Sequence, residues 1–195
     1  MKDNFFLSSE RLAFRPYQEA DAELLHQWFN DPIVTYYLET GQQPQTLEQI
    51  RQTIHKELES PASVVFMIVA KDKGLTIGII GLYAINEVAR KAEMRIIIGN
   101  QNYWNKGLGA EALELISFYG FDRLNLNKIH LGVSSGNEGA KKAYLKAGYV
   151  QGGVLKQDVY RNGQYYDGIN LAMLREDYLK GRYEEHKNRF SRSQK

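Results

Sequence analysis

The segment Glu93–Gly99 (EMRIIIG) is followed, eight residues after Gly99, by Gly107–Ala110 (GLGA) at the start of a long amphipathic stretch. The first segment predicts a strand, and the apolar spacing after Gly107 predicts a helix that ends near Leu124. A glycine-rich loop at a helix N-terminus exposes backbone N–H groups where the helix dipole is positive. The pattern therefore predicts a seat for a phosphate or pyrophosphate group.

Two common phosphate-binding patterns fit this segment poorly. No Gly-x-x-x-x-Gly-Lys-Ser/Thr sequence occurs, which excludes a P-loop. The run from Gly107 to Ala112 matches the loose Gly-x-Gly-x-x-Ala fingerprint of dinucleotide-binding domains, but that fingerprint starts directly after a strand within repeated βαβ units. Here the gap after Gly99 is too long, and only one more strand–helix unit and a hairpin follow. We therefore set this interpretation aside.

The flanking sequence predicts a mixed α+β order of elements. Strands are expected at residues 11–15, 63–71, 75–85, 92–99, 128–134, 149–160 and 164–174, and helices at residues 19–29, 46–58, 107–124 and 135–147. Thr46 and Gln49 form a capping box, and Asn162-Gly163 is a strong hairpin turn. No repeat or linker divides the chain. We expect a single domain over residues 1–178 and a charged tail over residues 179–195. The segment from Arg175 onward is either a short helix that frays into this tail or a solvated terminus.

Composition limits the class of protein. The 195 residues are 43% hydrophobic and 25% charged, which suits a globular domain. The net charge of +2 gives no reason to expect nucleic acid or an anionic membrane as a partner, and the longest apolar run, Val64–Ala70, is too short to span a bilayer. There are no cysteines, and the four histidines lack metal-ligand spacing. We expect a cytoplasmic protein without a metal.

Two motifs resemble those of the GNAT acetyltransferases. Trp104–Gly109 (WNKGLG) resembles the coenzyme A pyrophosphate loop of that family, whose pattern is Arg/Gln-x-x-Gly-x-Gly/Ala. Trp104 replaces the usual Arg or Gln, which resembles the branch that acetylates ribosomal proteins, polyamines and amino sugars. Residues 137–149 (NEGAKKAYLKAGY) resemble the second motif of the family. The resemblance covers residues 8–178 and implies a twisted mixed sheet of about six to seven strands flanked by about four helices.

The resemblance also implies acetyl-CoA as co-substrate and an amine as acceptor. The residues that it assigns to coenzyme binding are Ile96, Ile97, Ile98, Trp104, Asn105, Lys106, Gly107, Leu108, Gly109, Ala110, Asn137 and Ala140. In this family the strand at residues 92–99 splays from its parallel neighbour, residues 128–134, and the pantetheine arm enters between them. A backbone N–H near Ile97 is the implied donor to the oxyanion. One such donor typically lowers the activation free energy by about 3–4 kcal/mol.

Two side chains are candidates for proton transfer. Tyr144 lies seven residues after Asn137 on the same predicted helix, so both face the same way. A phenol with a pKa near 10 suits a leaving thiolate whose pKa is near 8.5; the alternative is an ordinary packed aromatic.

An amine with a pKa near 10.4 must lose a proton before attack, and Glu93 is the candidate base. The alternative for Glu93 is a strand-end carboxylate paired with Arg95 or a lysine.

Two segments of the chain are candidates for the pocket that binds the acceptor amine. The resemblance places its pocket between residues 28–45 and 159–167. These segments hold five tyrosines and three acids, and a fourth acid directly precedes the second segment: Tyr36, Tyr37, Tyr160, Tyr165, Tyr166, Asp31, Glu39, Asp167 and the preceding Asp158. A polyamine would need a denser set of counter-charges. We expect a small-molecule amine, such as an amino sugar or a polyamine.

Other interpretations stay open. One is an enzyme that acetylates protein N-termini, one is a non-catalytic coenzyme A-binding regulatory module, and one is a generic nucleotide-binding domain. An idle module has no need of a tyrosine at position 144. Edge strands and the last hairpin allow a homodimer.

Overall fold

A computed structural model of the chain describes residues 5–38 and 41–191. Its strands are β1 Leu7–Ser8, β2 Leu12–Arg15, β3 Val64–Ala70, β4 Leu75–Asn86, β5 Lys91–Ile98, β6 Lys128–Ser134, β7 Val150–Arg161 and β8 Gln164–Leu174. They form one sheet in the order β1-β2-β3-β4-β5-β6-β8-β7. All neighbouring strands are antiparallel except β5 and β6, which are parallel.

The helices are α1 Asp21–Phe29, α2 Leu47–Glu59, α3 Leu108–Asp122, α4 Glu138–Lys146, α5 Arg175–Gly181 and α6 Tyr183–Ser191. The predicted mixed α+β fold is confirmed, as is the capping box of Thr46 and Gln49 at the start of α2. The described residues contain eight strands and six α-helices, more than expected. The extra strand is β1, which pairs with β2 over two residues. The extra helices are α5 and α6, which follow the last predicted strand.

Strand β3 shows why both faces of the sheet are covered. Its run VVFMIVA is apolar throughout, as expected for a strand buried on both sides. Phe66 and Ile68 belong to a core cluster under α3, whereas Val65 and Met67 belong to a second cluster under α1 and α2. The alternation of side chains thus divides the core into two layers, with the sheet between them.

Strands β5 and β6 pair over only three residues, from Lys91 opposite Lys128 to Glu93 opposite His130. Beyond this point β5 continues to Ile98 on β4, and β6 continues to its end on β8. The two parallel strands therefore diverge toward their carboxyl ends. The splay that the resemblance implied is confirmed, and it opens a gap in the middle of the sheet.

The segment predicted as a charged tail is different in the structure. Tyr183, His186 and Phe190 recur at a spacing of three and four residues and put an apolar stripe on α6. His186 and Phe190 are each 1% exposed, and the rings of Tyr183 and Phe190 contact Phe118 of α3. The described part of this segment is therefore a packed helix and not a solvated tail. Within the described residues, no helix has the length and hydrophobicity needed to cross a membrane.

Candidate functional site

A cavity of about 840 Å³ lies beside the end of β5, at Ile96, Ile97 and Ile98, where this strand no longer pairs with β6. Its walls are the end of β5, the loop and first turns that begin α3, helix α4, and the segment that follows α1. The volume lies within the range of about 300–1,000 Å³ that is usual for small-molecule sites. The cavity is therefore the place to look for the predicted site residues.

Most of the predicted residues line this cavity. They are Ile96, Ile97, Ile98, Trp104, Asn105, Gly107, Leu108, Gly109, Asn137, Ala140 and Tyr144. Lys106, Ala110 and Glu93 are not lining residues: the Lys106 ammonium lies 5.4 Å from the centroid of the Tyr103 ring, and the Ala110 side chain is buried. Sequence reasoning missed Tyr103 and Leu113, which also line the cavity, because no pattern distinguishes them from other apolar positions.

The loop before α3 is shaped by two left-handed residues and one side-chain bond. Asn105 has φ +58° and Gly107 has φ +76°, a conformation that glycine adopts without strain. The indole Nε1 of Trp104 donates to the carbonyl of Ile98 at 2.7 Å, which ties the loop to the end of β5. Gly107 is the N-cap of α3 and offers no side-chain acceptor.

The first turn of α3 has unused donors at the cavity, which is lined by Leu108 and Gly109 of this turn. Glu111 is the first residue of the turn whose N–H bonds back, to Gly107 at 3.2 Å. Within the described chain, the N–H groups of Leu108, Gly109 and Ala110 meet no hydrogen-bond acceptor. A Cβ on Gly109 would have no atom within 4 Å, so its bare backbone faces open space. This is the geometry that an anion such as a pyrophosphate requires.

The open edge of β5 supplies further donors, because the backbone groups of a strand point to alternate sides. Gly99 donates to the Ile77 carbonyl of β4 at 2.9 Å, so Ile97, two residues earlier, also directs its N–H to β4. The N–H groups of Ile96 and Ile98 therefore face the gap toward β6. The sequence placed the oxyanion donor near Ile97; the two neighbours of Ile97 hold the open donors.

Tyr144 reaches the cavity from α4. Its side chain is 8% exposed, and its ring packs edge-on against Tyr149 at 6.4 Å. No described residue forms a hydrogen bond with its hydroxyl, which leaves that group available to a ligand. Burial raises the pKa of Tyr144 to about 12, so the phenol stays protonated at neutral pH.

Asn137 has a local role that the sequence did not predict. It is the N-cap of α4, and its Oδ1 accepts the N–H of Ala140 at 3.1 Å. Both residues line the cavity near the start of the helix that holds Tyr144. Asn137 therefore fixes the position from which α4 begins.

Glu93 forms a bidentate ion pair with Arg95, with nitrogen–oxygen distances of 2.9 and 2.8 Å. The hydrogen bond from Arg95 is the main reason that the pKa of Glu93 lies below its usual range. Glu93 also sits at the last paired position of β5 and β6, before the gap opens. These contacts favour the ion-pair alternative over the role of base.

The wall formed by the segment after α1 is apolar and phenolic. It consists of Pro32, Ile33, Val34, Tyr36, Tyr37 and Leu38. The ring of Tyr37 contacts those of Tyr36 and Tyr166, at 4.7 and 6.4 Å. Tyr160 and Tyr165, which the sequence placed here, are exposed on the β7–β8 hairpin and contact each other at 4.9 Å.

No carboxylate is found among the described residues that line the cavity. Of the acids predicted for the acceptor pocket, Asp31 accepts from Gln101 at 2.9 Å and Asp167 pairs with Lys156 at 2.8 Å. Glu39 lies outside the described residues. Nor do the described residues contain a group of three potential metal ligands.

Comparisons with known proteins agree with this geometry. Residues 11–150 match the family model described as an acetyltransferase (GNAT) domain. A spermidine N(1)-acetyltransferase of Escherichia coli is 31% identical over 173 residues, which are 88% of this chain and 90% of that protein. An uncharacterized N-acetyltransferase of Bacillus subtilis is 31% identical over 83% of this chain and 92% of its own length. The solved structure of a spermidine N-acetyltransferase from Vibrio cholerae, in complex with CoA and spermine, has a TM-score of 0.79 and 27% identity, covering 87% of this chain and 98% of that one.

Proposed function

Because this chain belongs to the GNAT acetyltransferase family, we propose that it moves the acetyl group of acetyl-CoA directly to a small-molecule primary amine. The chain is an acetyl-CoA-dependent N-acetyltransferase. One observation carries the proposal: a single cavity is lined by Leu108 and Gly109, whose N–H groups are free, by the open edge of β5 and by Tyr144, whose hydroxyl forms no hydrogen bond with a described residue. Each of these meets one requirement of the reaction.

The first requirement is to hold the coenzyme. The pyrophosphate takes the N–H groups of Leu108, Gly109 and Ala110, where the dipole of α3 favours negative charge. The pantetheine arm follows the gap between β5 and β6, which brings the thioester toward Tyr144. The complex of the Vibrio relative with CoA supports coenzyme binding by this fold.

The second requirement is to stabilise charge during transfer. The amine nitrogen attacks the thioester carbon, the carbon–sulfur bond breaks, and one proton passes in net from nitrogen to sulfur. The carbonyl oxygen gains negative charge between these events. The N–H groups of Ile96 and Ile98, which face the gap, are placed to receive it, and one such donor is worth about 3–4 kcal/mol.

The third requirement concerns protons. Tyr144 donates a hydrogen bond from its hydroxyl to the departing sulfur and so stabilises the thiolate, while its raised pKa keeps the proton on the phenol. The thiolate, with a pKa near 8.5, then takes up its proton from water, and the attacking nitrogen releases one to water. The amine arrives largely as an ammonium ion and loses its proton to water in the mouth of the cavity. Glu93 is the less favoured base, because Arg95 already binds both of its oxygens.

The acceptor follows from the wall formed by the segment after α1. Tyr36 and Tyr37 offer ring faces and hydroxyl groups to an amine and its carbon skeleton. The spermidine acetyltransferases among the relatives support a polyamine. The lack of carboxylates among the described lining residues supports an amine with a single positive charge, such as an amino sugar.

Initial rates with a panel of acceptors test this proposal. The panel contains spermidine, nucleotide-linked amino sugars and short peptides with free N-termini, and thiol release from acetyl-CoA reports transfer. We expect release with one class of small amine and no acetylated enzyme in intact mass spectra taken without an acceptor. Selective release with the peptides would support the protein N-terminal alternative, and binding of acetyl-CoA without release from any acceptor would support the regulatory module.

A further inference from the structure

The first turn of α3 contains a buried carboxylate with an unusual number of donors. Glu111 is 3% exposed and accepts hydrogen bonds from Ser9 Oγ at 2.7 Å, from the Arg11 backbone N–H at 2.9 Å and from Arg11 Nε at 2.7 Å. Ser9 and Arg11 lie in the turn between β1 and β2, about a hundred residues away in the chain. This contact therefore joins the N-terminal strand to the start of the helix that faces the coenzyme.

Arg11 extends this contact to the coenzyme loop. While its Nε holds Glu111, its Nη1 donates to the carbonyl oxygen of Lys106 at 2.9 Å. The guanidinium is rigid and planar, so it can bridge a carboxylate and a carbonyl at fixed distances. Its Nη2 lies 3.7 Å from the position that a Cβ on Gly107 would occupy.

The carbonyl oxygen of Lys106 determines whether the N–H of Ala110 has an acceptor within the chain. In an α-helix the N–H of residue i bonds to the carbonyl of residue i−4, so Ala110 would bond to Lys106 if the helix began one residue earlier. In the structure the Lys106 carbonyl accepts from Arg11 instead, and the Ala110 N–H has no acceptor among the described residues. The helix thus begins with Ala110 still free to donate to a ligand.

We propose that Arg11 is a positioning residue for the coenzyme: it holds the Lys106 carbonyl away from α3 and keeps the Ala110 N–H open for the pyrophosphate. The inference rests on the proposed seat for the pyrophosphate in the preceding subsection. Glu111 fixes the guanidinium from the opposite side, so Arg11 acts through the loop backbone. A lysine at position 11 keeps the charge but cannot bridge both oxygen atoms.

The test compares two acetyl donors on two variants. S-acetylpantetheine carries the same thioester as acetyl-CoA but lacks the pyrophosphate and nucleotide. For Arg11→Lys we expect kcat/KM with acetyl-CoA to fall at least about tenfold, through KM, and kcat/KM with S-acetylpantetheine to stay within about twofold. An equal fall for both donors, or no fall for either, would overturn the proposal.

Arg15→Lys is the matched control. Arg15 is the last residue of β2, four residues after Arg11, and forms a bidentate pair with buried Asp21, at 2.6 and 2.7 Å, away from the coenzyme loop. We expect this variant to lose stability in urea without changing the ratio between the two donors. If Arg11→Lys does not fold, Glu111→Gln provides the same comparison, because the amide keeps the volume but releases the guanidinium.

Calorimetric titration with CoA separates this inference from the proposed reaction, since it needs no transfer. We expect the Kd for CoA to rise at least about tenfold in Arg11→Lys and to stay near the wild-type value in Arg15→Lys. An unchanged Kd in Arg11→Lys would overturn the positioning role even if the enzyme turns over. Absence of transfer in a wild-type protein that binds CoA would count against the proposed function alone.

Discussion

Glu93, the last residue of β5 that pairs with β6, forms a bidentate ion pair with Arg95 at 2.8 and 2.9 Å. Arg95 also lies over the ring of Tyr83 on β4, 4.7 Å from its centroid. The guanidinium is thus held from two sides, and the carboxylate has both oxygen atoms occupied. This arrangement decides how the candidate base should behave.

We expect Glu93→Gln to retain kcat within about threefold at pH 7. The pKa of Glu93 is lowered, chiefly by the hydrogen bond from Arg95, so the carboxylate is a weak base throughout the neutral range. The pH–rate profile should then keep its shape and rise with pH, because the amine, with a pKa near 10.4, must lose its proton. A fall in kcat of a hundredfold or more, with a displaced profile, would restore Glu93 as the base.

Tyr144→Phe should lower kcat by about 10²–10⁴ and leave the Kd for acetyl-CoA unchanged, because only the departing sulfur needs the hydroxyl. Stopped assays of thiol release and calorimetric titration measure the two quantities. Tyr149→Phe is the matched control: Tyr149 is buried, contacts the Tyr144 ring and bonds to Ser117 at 2.8 Å. It should cost stability without loss of turnover, and near-normal turnover in Tyr144→Phe would remove that residue from the mechanism.

Gly109→Leu should weaken acetyl-CoA binding by at least about tenfold while folding stays intact. A Cβ at this position meets no protein atom within 4 Å, and leucine is a good helix former. The added side chain would occupy the space over the pyrophosphate seat. Gly109→Ala is the control, since one methyl group should reduce affinity far less. Equal affinities of the leucine variant and the wild type, measured by calorimetry, would place the coenzyme elsewhere.

Stability should depend on pH through His186. Burial first, and then the charges of Arg182 and Arg189, lower the pKa of His186 to about 4. The pKa of a histidine in the unfolded chain is near 6.5. Above this pH the ring is neutral in both states, and the full contribution of His186 to the free energy of unfolding is present. As pH falls below 6.5, the unfolded state takes up the proton more readily than the folded state. The free energy of unfolding therefore declines until the pH falls below the pKa of His186 in the folded protein. From pH 7 to pH 5 the loss from this one group is about 2 kcal/mol.

Urea unfolding of the wild type and of His186→Gln at both pH values measures this contribution. The variant should be less stable at pH 7, because Gln does not fill the site beside Tyr178 and Phe190, but its stability should change less with pH. The remaining slope in this range belongs to His130, whose pKa is also lowered, chiefly by burial; carboxylates with a lowered pKa, such as Glu111, contribute at lower pH. Equal slopes in the two proteins would show that His186 does not contribute.

The sequence predicted the strands and helices that surround the site because their signals are local. Asn162-Gly163 marked the last hairpin, and the glycines of the coenzyme loop marked the start of α3. The bond from Trp104 to Ile98 was not predictable, since a side-chain donor and a backbone acceptor six residues apart leave no periodic pattern. This bond accounts structurally for the indole at a position where the family pattern has Arg or Gln.

Two other features depended on contacts between distant parts of the chain. The direction of the Ile97 N–H is set by the hydrogen-bond pattern with β4, whereas the sequence shows only which side chains alternate. Arg11 and Glu111 are a hundred residues apart, and neither stands out from other charged residues until the fold brings them together. The glycines at the start of α3 were therefore visible in the sequence, but the residues that hold the preceding loop in place were not.

A crystal structure of the protein with bound CoA would test the account most directly. We expect pyrophosphate oxygen atoms at about 2.7–3.2 Å from the N–H nitrogens of Leu108, Gly109 and Ala110. We also expect the sulfur to lie between β5 and β6, within about 3.5 Å of the Tyr144 hydroxyl. A coenzyme bound away from the start of α3, or a sulfur that does not enter the gap between β5 and β6, would contradict it.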